Sequence, residues 1–235
     1  MKKISEKFAS IGPFQTKEDF VYQTLRAAIL QCELQPGEKL VVDHLSAQLG
    51  TSTIPIRTAL QRLQAEGLVE IVPHTGAVVT EISTTLVSEV FSMLEALESV
   101  AFVQAASHLE ESDLVGLQDI LKRMDEALEN RDSNLWSDLN SQFHQQISEI
   151  THMKLLVEFT RRTLDNWDRL RSYFFKGDFS EHIPRAQAEH RKMLELLREG
   201  DEPALIAAVS EHNRNARDMY FKLLESAGMG NDRPR

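Results

Sequence analysis

Eight histidines are spread along the 235-residue chain, and three of them stand where an imidazole could hold a metal ion. His144 follows Asn140 by four residues in Asn140-Ser141-Gln142-Phe143-His144, so on one helix the two share a face. His190 and His212 each lie well inside later stretches of helical periodicity. Three imidazoles and one oxygen donor turned into a helical core would bind Zn²⁺ or a similar divalent ion and leave coordination positions open. The competing reading is three separate histidines, each on the surface or satisfied by one partner, because no two are close enough in sequence to form a motif.

A second set of residues suits a different chemistry. In Thr51-Ser52-Thr53-Ile54-Pro55-Ile56-Arg57 and onward to Val69, Ile56, Leu60 and Leu63 recur at helical spacing and form one buried stripe. Arg57, Thr58, Gln61 and Arg62 fall mostly off that stripe. Ser52 is placed to cap the helix, Pro55 fits its first turn, and Gly67 ends it in the left-handed conformation. A short exposed helix offering Thr, Gln and Arg can donate to base edges and phosphates in a major groove. Taken alone, such a helix is equally well a solvated surface. Enzyme chemistry finds less support: no Gly-rich phosphate loop, nucleophile elbow or Cys/His pair in a suitable context is present. A three-histidine site can activate water, as catalytic zinc does, but no base is specified by spacing.

The elements around these residues are legible from punctuation. Lys17 to Gln31 reads as a helix with Phe20, Leu25, Ala28 and Ile29 on its apolar face. Pro36-Gly37 is a turn, Leu40-Val41 a short extended piece, and Asp43 caps a brief helix, 44–49, closed by Gly50. Val69–Val72 and Ala77–Thr80 form a β-hairpin around Pro73-His74-Thr75-Gly76. Helix, turn, helix and hairpin in this order make a winged helix-turn-helix, the hairpin being the wing. Beyond residue 85 there are about six helical segments, 86–108, 112–130, 134–151, 154–175, 183–199 and 202–226, with short connections that predict an antiparallel bundle. The fold class is therefore mainly α. The expected division is a polar N-terminal tail over 1–14, a winged helix-turn-helix over 15–80 and a linker over 81–85. An all-helical effector and dimerisation domain follows over 86–228, with a disordered C-terminal tail over 229–235.

Charge follows the same division. Net charge is −10, which argues against nucleic acid until it is apportioned. Residues 1–80 hold 8 Lys/Arg and 8 Asp/Glu, and the remainder holds 18 and 28, so the acidity belongs entirely to the second part. A neutral module binds DNA if its cations gather on one face. One cysteine, Cys32, excludes an intramolecular disulfide and fits a reducing cytosol. With no signal-peptide core and no run approaching a membrane span, the expected location is cytoplasmic.

The segments Leu25-Arg26-Ala27-Ala28-Ile29-Leu30, Leu34-Gln35-Pro36-Gly37-Glu38-Lys39-Leu40, Leu45-Ser46-Ala47-Gln48-Leu49-Gly50, Pro55-Ile56-Arg57-Thr58-Ala59-Leu60 and Leu63-Gln64-Ala65-Glu66-Gly67-Leu68 resemble the GntR family of bacterial transcription regulators. The resemblance runs without a gap from about residue 20 to 80. It implies a winged helix that binds a near-palindromic double-stranded operator as a homodimer, with half-sites about one helical turn, ~34 Å, apart, and more often represses than activates. Arg57 matches a DNA-contacting arginine of the family, and Gly76, with His74 beside it, matches the wing tip that enters the minor groove. Thr53, Thr58 and Arg62 complete the expected DNA-binding set, Arg62 at a phosphate. Thr53 stands where the family commonly has Arg. A bidentate guanine contact worth roughly 1–3 kcal/mol is unavailable from this position, so a different operator is expected.

The rest of the chain resembles, more loosely, the FCD effector domain of the FadR-like branch. Metal-binding members have Asp or Asn four residues before a His, with Phe before that His, and one His on each of the last two helices. Asn140, Phe143-His144, His190 and His212 fit residue by residue. The resemblance thus implies a divalent metal, zinc first, with nickel or manganese as alternatives, and a small carboxylate effector on its open positions. Asn140 in place of Asp leaves the charge of the ion uncompensated by protein, which favours an anionic ligand. Leu94 stands where acid-sensing relatives carry an arginine, so a carboxylate clamp must come from elsewhere, from the metal alone, or not exist. Arg161, Arg162, Arg169 and Arg171 share the long helix over 154–175; one of them could turn inward, Arg161 and Arg162 being the named candidates, while most would pair with acids on the surface. Trp136, Trp167, Tyr173, Phe174 and Phe175 read as core and dimer-face aromatics before they read as a ligand cage. The alternative function is a metal-dependent enzyme or metal-binding protein with a vestigial winged helix.

Overall fold

The computed structural model describes residues 16–73, 76–174 and 182–226. The expected tails, the loop at Lys176-Gly177-Asp178, Phe175 and His74 lie outside the described residues. The chain divides into two compact units, Met1–Ile82 and Ser83–Arg235.

In the first unit, α1 (Lys17–Leu30), α2 (Val42–Leu49) and α3 (Thr53–Ala65) enclose one apolar core with β1 (Lys39–Val41), β2 (Val69–Val72) and β3 (Gly76–Val79). Thr16 caps α1, its hydroxyl accepting from Asp19 N at 3.1 Å. The expected cap of α2 is corrected: Val41 occupies that position and Asp43 lies within the first turn. Ser52 does hold the cap position of α3, but its hydroxyl accepts no backbone hydrogen bond there. At the other end of α3, Gly67 has φ of 73° and donates to Gln64 O at 2.9 Å, while Leu68 N donates to Leu63 O at 3.0 Å. This paired closure satisfies two terminal carbonyls and turns the buried Leu68 back onto the helix.

The expected hairpin is part of a three-stranded antiparallel sheet of order β1-β3-β2, because Lys39–Val41 pairs with β3 as well. Gly76, opposite both Val41 and Val72, has φ of 148°, and a Cβ there would lie 1.9 Å from Leu40 O. Only glycine lets the two strands approach so closely. The expected 81–85 linker is corrected too: Ile82 is buried, Ser83 caps the next helix by accepting from Leu86 N at 3.1 Å, and Thr84 begins that helix.

The second unit is all-helical among its described residues: α4 (Thr84–Ala106), α5 (Glu111–Glu129), α6 (Ser133–Ile150), α7 (Lys154–Phe174), α8 (Ile183–Glu199) and α9 (Glu202–Ser226). Buried positions 87, 91, 94, 98, 102 and 105 run along α4 at helical spacing, and α4 packs against α6, α7, α8 and α9. It is the axle of the bundle. No described helix is long and apolar enough to cross a membrane.

Gly76→Ala is expected to destabilise the first unit by ~2 kcal/mol or more, since both φ and the Leu40 carbonyl oppose a Cβ. Gly67→Ala, where no atom lies within 4 Å of an added Cβ, should cost only ~1 kcal/mol. Urea denaturation of both variants, compared by midpoint, checks the ordering.

Candidate metal and ligand centre

His144 on α6, His190 on α8 and His212 on α9 all lie on the buried stripes of their helices, at 3%, 0% and 8% exposure. The fold therefore carries the three imidazoles to one point: one ring nitrogen from each lies within 4.8 Å of the others. His144 Nε2 and His190 Nε2 face each other at 3.2 Å. Two nitrogens bound to one tetrahedral ion at Zn–N of ~2.0–2.1 Å would stand roughly 3.3 Å apart. Asn140 is buried and lines the same cavity as His144 and His212.

Two carboxylates stand behind the imidazoles, and neither was expected from the sequence. Glu98 on α4, 2% exposed, lies with Oε1 3.0 Å from His144 Nδ1, and its Oε2 accepts from Asn213 Nδ2 at 2.7 Å. Glu189 on α8 places Oε2 2.8 Å from His212 Nδ1, and its Oε1 accepts from Asn215 Nδ2 and Arg185 Nε. A carboxylate on the far nitrogen fixes the tautomer and aims the other nitrogen's lone pair inward. Burial pushes both carboxyls up, but His144, with His212 and Asn213, brings Glu98 below the usual carboxylate value, and His212, Asn215 and Arg185 do the same for Glu189. Both are anionic. The expectation that the protein leaves the ion's charge uncompensated is thereby corrected: Asn140 contributes none, and Glu98 and Glu189 contribute two negative charges next to the ring nitrogens.

Behind His190 no carboxylate stands among the described residues: its Nδ1 is buried, and its ring stacks on Trp136 at 5.9 Å between centroids. Burial, then repulsion from His212 and His144, holds its pKa well below 6.5, so it is a neutral imidazole with a free lone pair. An uncharged nitrogen donor in a dry pocket is what a divalent ion binds. The donor set fits the metal that the resemblance implies.

Beside the imidazoles lies a small cavity of about 50 Å³, whose lining includes Phe91, Leu94, Trp136, Leu164 and Trp167. The two indoles are therefore core residues that also wall a chamber. Arg161 and Arg162 do not reach it. They are 53% and 48% exposed and pair along α7 with Asp165 and Glu158. The buried stripe of α7 runs through Leu156, Thr160, Leu164 and Trp167, and one or two residues past Thr160 is ~100–200° round the helix, facing out. A larger groove between α5 and α8, lined by Lys122, Asp125 and Arg191 among others, shares no residue with the histidine site.

In the first unit, Arg57 is exposed on α3, Thr53 opens that helix, and Thr58 returns its hydroxyl to Ile54 O at 3.3 Å. Arg62 is engaged within the unit: its guanidinium bonds Asp19 Oδ1 at 2.8 Å and lies 3.7 Å over the Tyr22 ring. Arg26 Nε donates to Glu66 Oε2 at 3.0 Å, and Tyr22 bonds the same carboxylate. Gly76 is buried in the sheet.

Comparison with known proteins gives the same two-part division. Residues 17–79 match the bacterial regulatory proteins of the gntR family, and residues 89–215, more than half of the chain, match the FCD domain. The transcriptional repressor RspR of Escherichia coli is 26% identical over 205 residues, covering 86% of this chain and 88% of its own. A regulator from an unstable DNA locus of Streptomyces ambofaciens is 27% identical over 204 residues, covering 87% of this chain and 85% of its own. The structure of Escherichia coli McbR/YncC is similar in fold, with a TM-score of 0.76 at 22% identity over 89% of this chain and 99% of that one. A GntR regulator from Rhodococcus is similar with a TM-score of 0.72 at 18% identity, covering 88% and 99%. The chain belongs to the GntR family of DNA-binding transcriptional regulators, in the group with a C-terminal FCD domain, and is not an enzyme.

Proposed function

We propose that this regulator is a homodimeric repressor whose hold on its operator is set by a small carboxylic acid bound beside a divalent metal in the helical unit. The observation that carries this reading is the convergence of three buried imidazole nitrogens, two of them backed by carboxylates. His144, His190 and His212 would hold the ion, with the Asn140 amide oxygen at hand in the same cavity. When bound, the ion supplies a Lewis-acid anchor for a carboxylate. Glu98 and Glu189 orient the imidazoles, and Phe91, Trp136 and Trp167 exclude water from the chamber. RspR, a relative over most of the chain, is a repressor by name, which supports repression here, and the DNA partner sets the work in the cytoplasm.

On DNA, exposed Arg57 is the base-reading side chain, with Thr53 and Thr58 beside it on α3. Arg62 reaches a phosphate only by leaving Asp19 and the Tyr22 ring, so it contributes less. The wing, whose two strands meet the turn at Val72 and Gly76, lies along the adjacent minor groove, with Gly76 and His74 the residues assigned there from the family resemblance. For the second copy, the exposed apolar residues Met93 and Val100 on α4 and Leu155 and Phe159 on α7, two helices packed on each other, offer an apolar face. A ligand resets the reading heads only if it binds one arrangement of the dimer better than another.

Arg57→Ala is expected to weaken binding to the promoter of the protein's own operon by roughly 10–100-fold, the worth of one good base contact. Fluorescence anisotropy at ~0.15 M salt checks this, and unchanged affinity would mean that α3 is not the reader. His144→Ala, His190→Ala and His212→Ala should each abolish stoichiometric zinc uptake, measured by elemental analysis after dialysis. Undiminished metal in all three refutes the centre.

The depressed His190 pKa also predicts a pH dependence of the metal-free protein. Below pH 6.5 the unfolded chain takes a proton that the folded state refuses, so stability present above 6.5 is lost as pH falls below it. Glu98 and Glu189, held below 4.5, lose their contribution only at lower pH. Asp168, pushed up to about 7 by burial, adds stability as pH falls through the same window in both proteins, so between pH 7.5 and 5.5 thermal melts with chelator should fall more, or rise less, for the wild type than for His190→Gln. Parallel curves for the two proteins would contradict the assignment.

A further inference from the structure

Ile54 stands in the first turn of α3 with 69% of its surface in water. Among the described residues of α3 it is the one large apolar side chain that the core does not take up, since Ile56, Leu60 and Leu63 are all buried. A single aliphatic residue on a surface is ordinary. The difference here is the face that it shares. Ile54, Arg57, Thr58 and Gln61 follow at i, i+3, i+4 and i+7, within about 100° of one another round the helix and opposite the buried stripe. An aliphatic side chain therefore heads the same stripe that carries the exposed Arg57 and Gln61.

The chemistry of that stripe changes along its length. Arg57 and Gln61 offer hydrogen-bond donors. Thr58 turns its hydroxyl proton back to Ile54 O at 3.3 Å, which leaves it an acceptor and a methyl group to present. Ile54 offers neither donor nor acceptor, and no acid stands in the first turn of α3 to repel phosphate. In a major groove the N-terminal residues of a reader helix meet the base edges, and the apolar group that those edges present is the C5-methyl of thymine. Opposite cytosine or guanine the same side chain would strip water from the N4 amino group, or from N7 and O6, and replace no hydrogen bond. That penalty exceeds what a methyl contact gains, so the wrong base is rejected as well as the right one favoured.

We propose that Ile54 determines one base of the operator, its side chain packing on the C5-methyl of a thymine in each half-site, beside the base that Arg57 reads. The proposal rests on α3 being the reader helix and adds to that reading the identity of one base. At the usual worth of a buried methylene, one such contact contributes about 4-fold in affinity, and the two half-sites of a dimer together about 15-fold.

Deoxyuridine is the probe, because it pairs as thymidine does and lacks only the methyl. The full-length protein first selects a preferred duplex from a random-sequence library. That duplex is then remade with deoxyuridine for each thymidine in turn, symmetry-related positions together, and titrated by fluorescence anisotropy at ~0.15 M salt. One pair of positions should cost the wild-type protein about 15-fold. Ile54→Ser, a change to an exposed side chain, should weaken binding to the unmodified duplex by a similar factor and make the protein indifferent to deoxyuridine at that pair. The two changes together should cost no more than either alone. Wild-type affinity that is unmoved at every thymidine overturns the inference, and so does a loss that Ile54→Ser shares in full. Arg57→Ala on the same duplex separates this failure from failure of the reader. If that variant binds undiminished, or if no duplex is selected at all, α3 does not read sequence and the inference falls with it.

Discussion

Burying three imidazoles against one another is a cost that the helical unit must offset, and much of its interior is arranged to do so. Each ring carries a donor and an acceptor, and an unsatisfied polar group in a dry core is penalised by its full desolvation. Glu98 and Glu189 take the outer nitrogens of His144 and His212, and Asn213 and Asn215 in turn hold those carboxylates. Four helices, α4, α6, α8 and α9, are tied into one polar network that an ordinary apolar core would not contain. The inner nitrogens converge within 4.8 Å of one another, with His144 Nε2 and His190 Nε2 only 3.2 Å apart. A cation with vacant orbitals is the partner that such an arrangement satisfies best.

The DNA-binding unit meets a different constraint. A reader helix must expose polar side chains on one face and still be held rigidly by the other. Ile56, Ala59, Leu60 and Leu63 anchor α3 in the core, and the outward-leaning rim is fastened to α1 through Arg62 with Asp19 and Tyr22 and through Glu66 with Tyr22 and Arg26. Exposed ion pairs contribute little individually, but here a guanidinium lies over an aromatic ring as well. The result leaves Arg57 exposed while fixing the helix that carries it.

Much of this was legible in the sequence, and what was not has identifiable causes. Helix ends marked by Gly50 and Gly67 could be read because a left-handed residue after a helix has few alternatives to glycine. The three histidines were brought together by the resemblance to FCD domains and not by spacing, since no two of them are close enough in sequence to form a motif. Leu40-Val41 was read as extended, but its place in the sheet was not, because Lys39–Val41 is too short for alternation to show and pairs with residues almost forty positions away. Glu98 was overlooked although its signal was present: it occupies a position of the α4 stripe where the flanking pattern of Leu94, Ala101 and Phe102 calls for an apolar residue. An acid at such a position needs a buried partner, and asking for it would have led to His144. Arg161 and Arg162 failed in the opposite sense, since their chemistry suited a carboxylate but their phase on α7 did not.

The placement of Glu98 also bears on how binding could be felt elsewhere. It lies on α4, which begins at Thr84 and is capped by Ser83, the first residue of the second unit. From Thr84 to Glu98 is fourteen residues of continuous helix, ~21 Å at 1.5 Å per residue, with Phe91 and Leu94 of the chamber wall along the way. A rigid helix transmits a small rotation at one end to the other with little loss, whereas a flexible linker would absorb it. On the proposed function, a ligand in the chamber would act on Leu94 and Phe91 directly and on Glu98 through His144, all of these wall residues lying on α4 or in contact with it. The free energy available to move that helix is only the difference in ligand affinity between its positions.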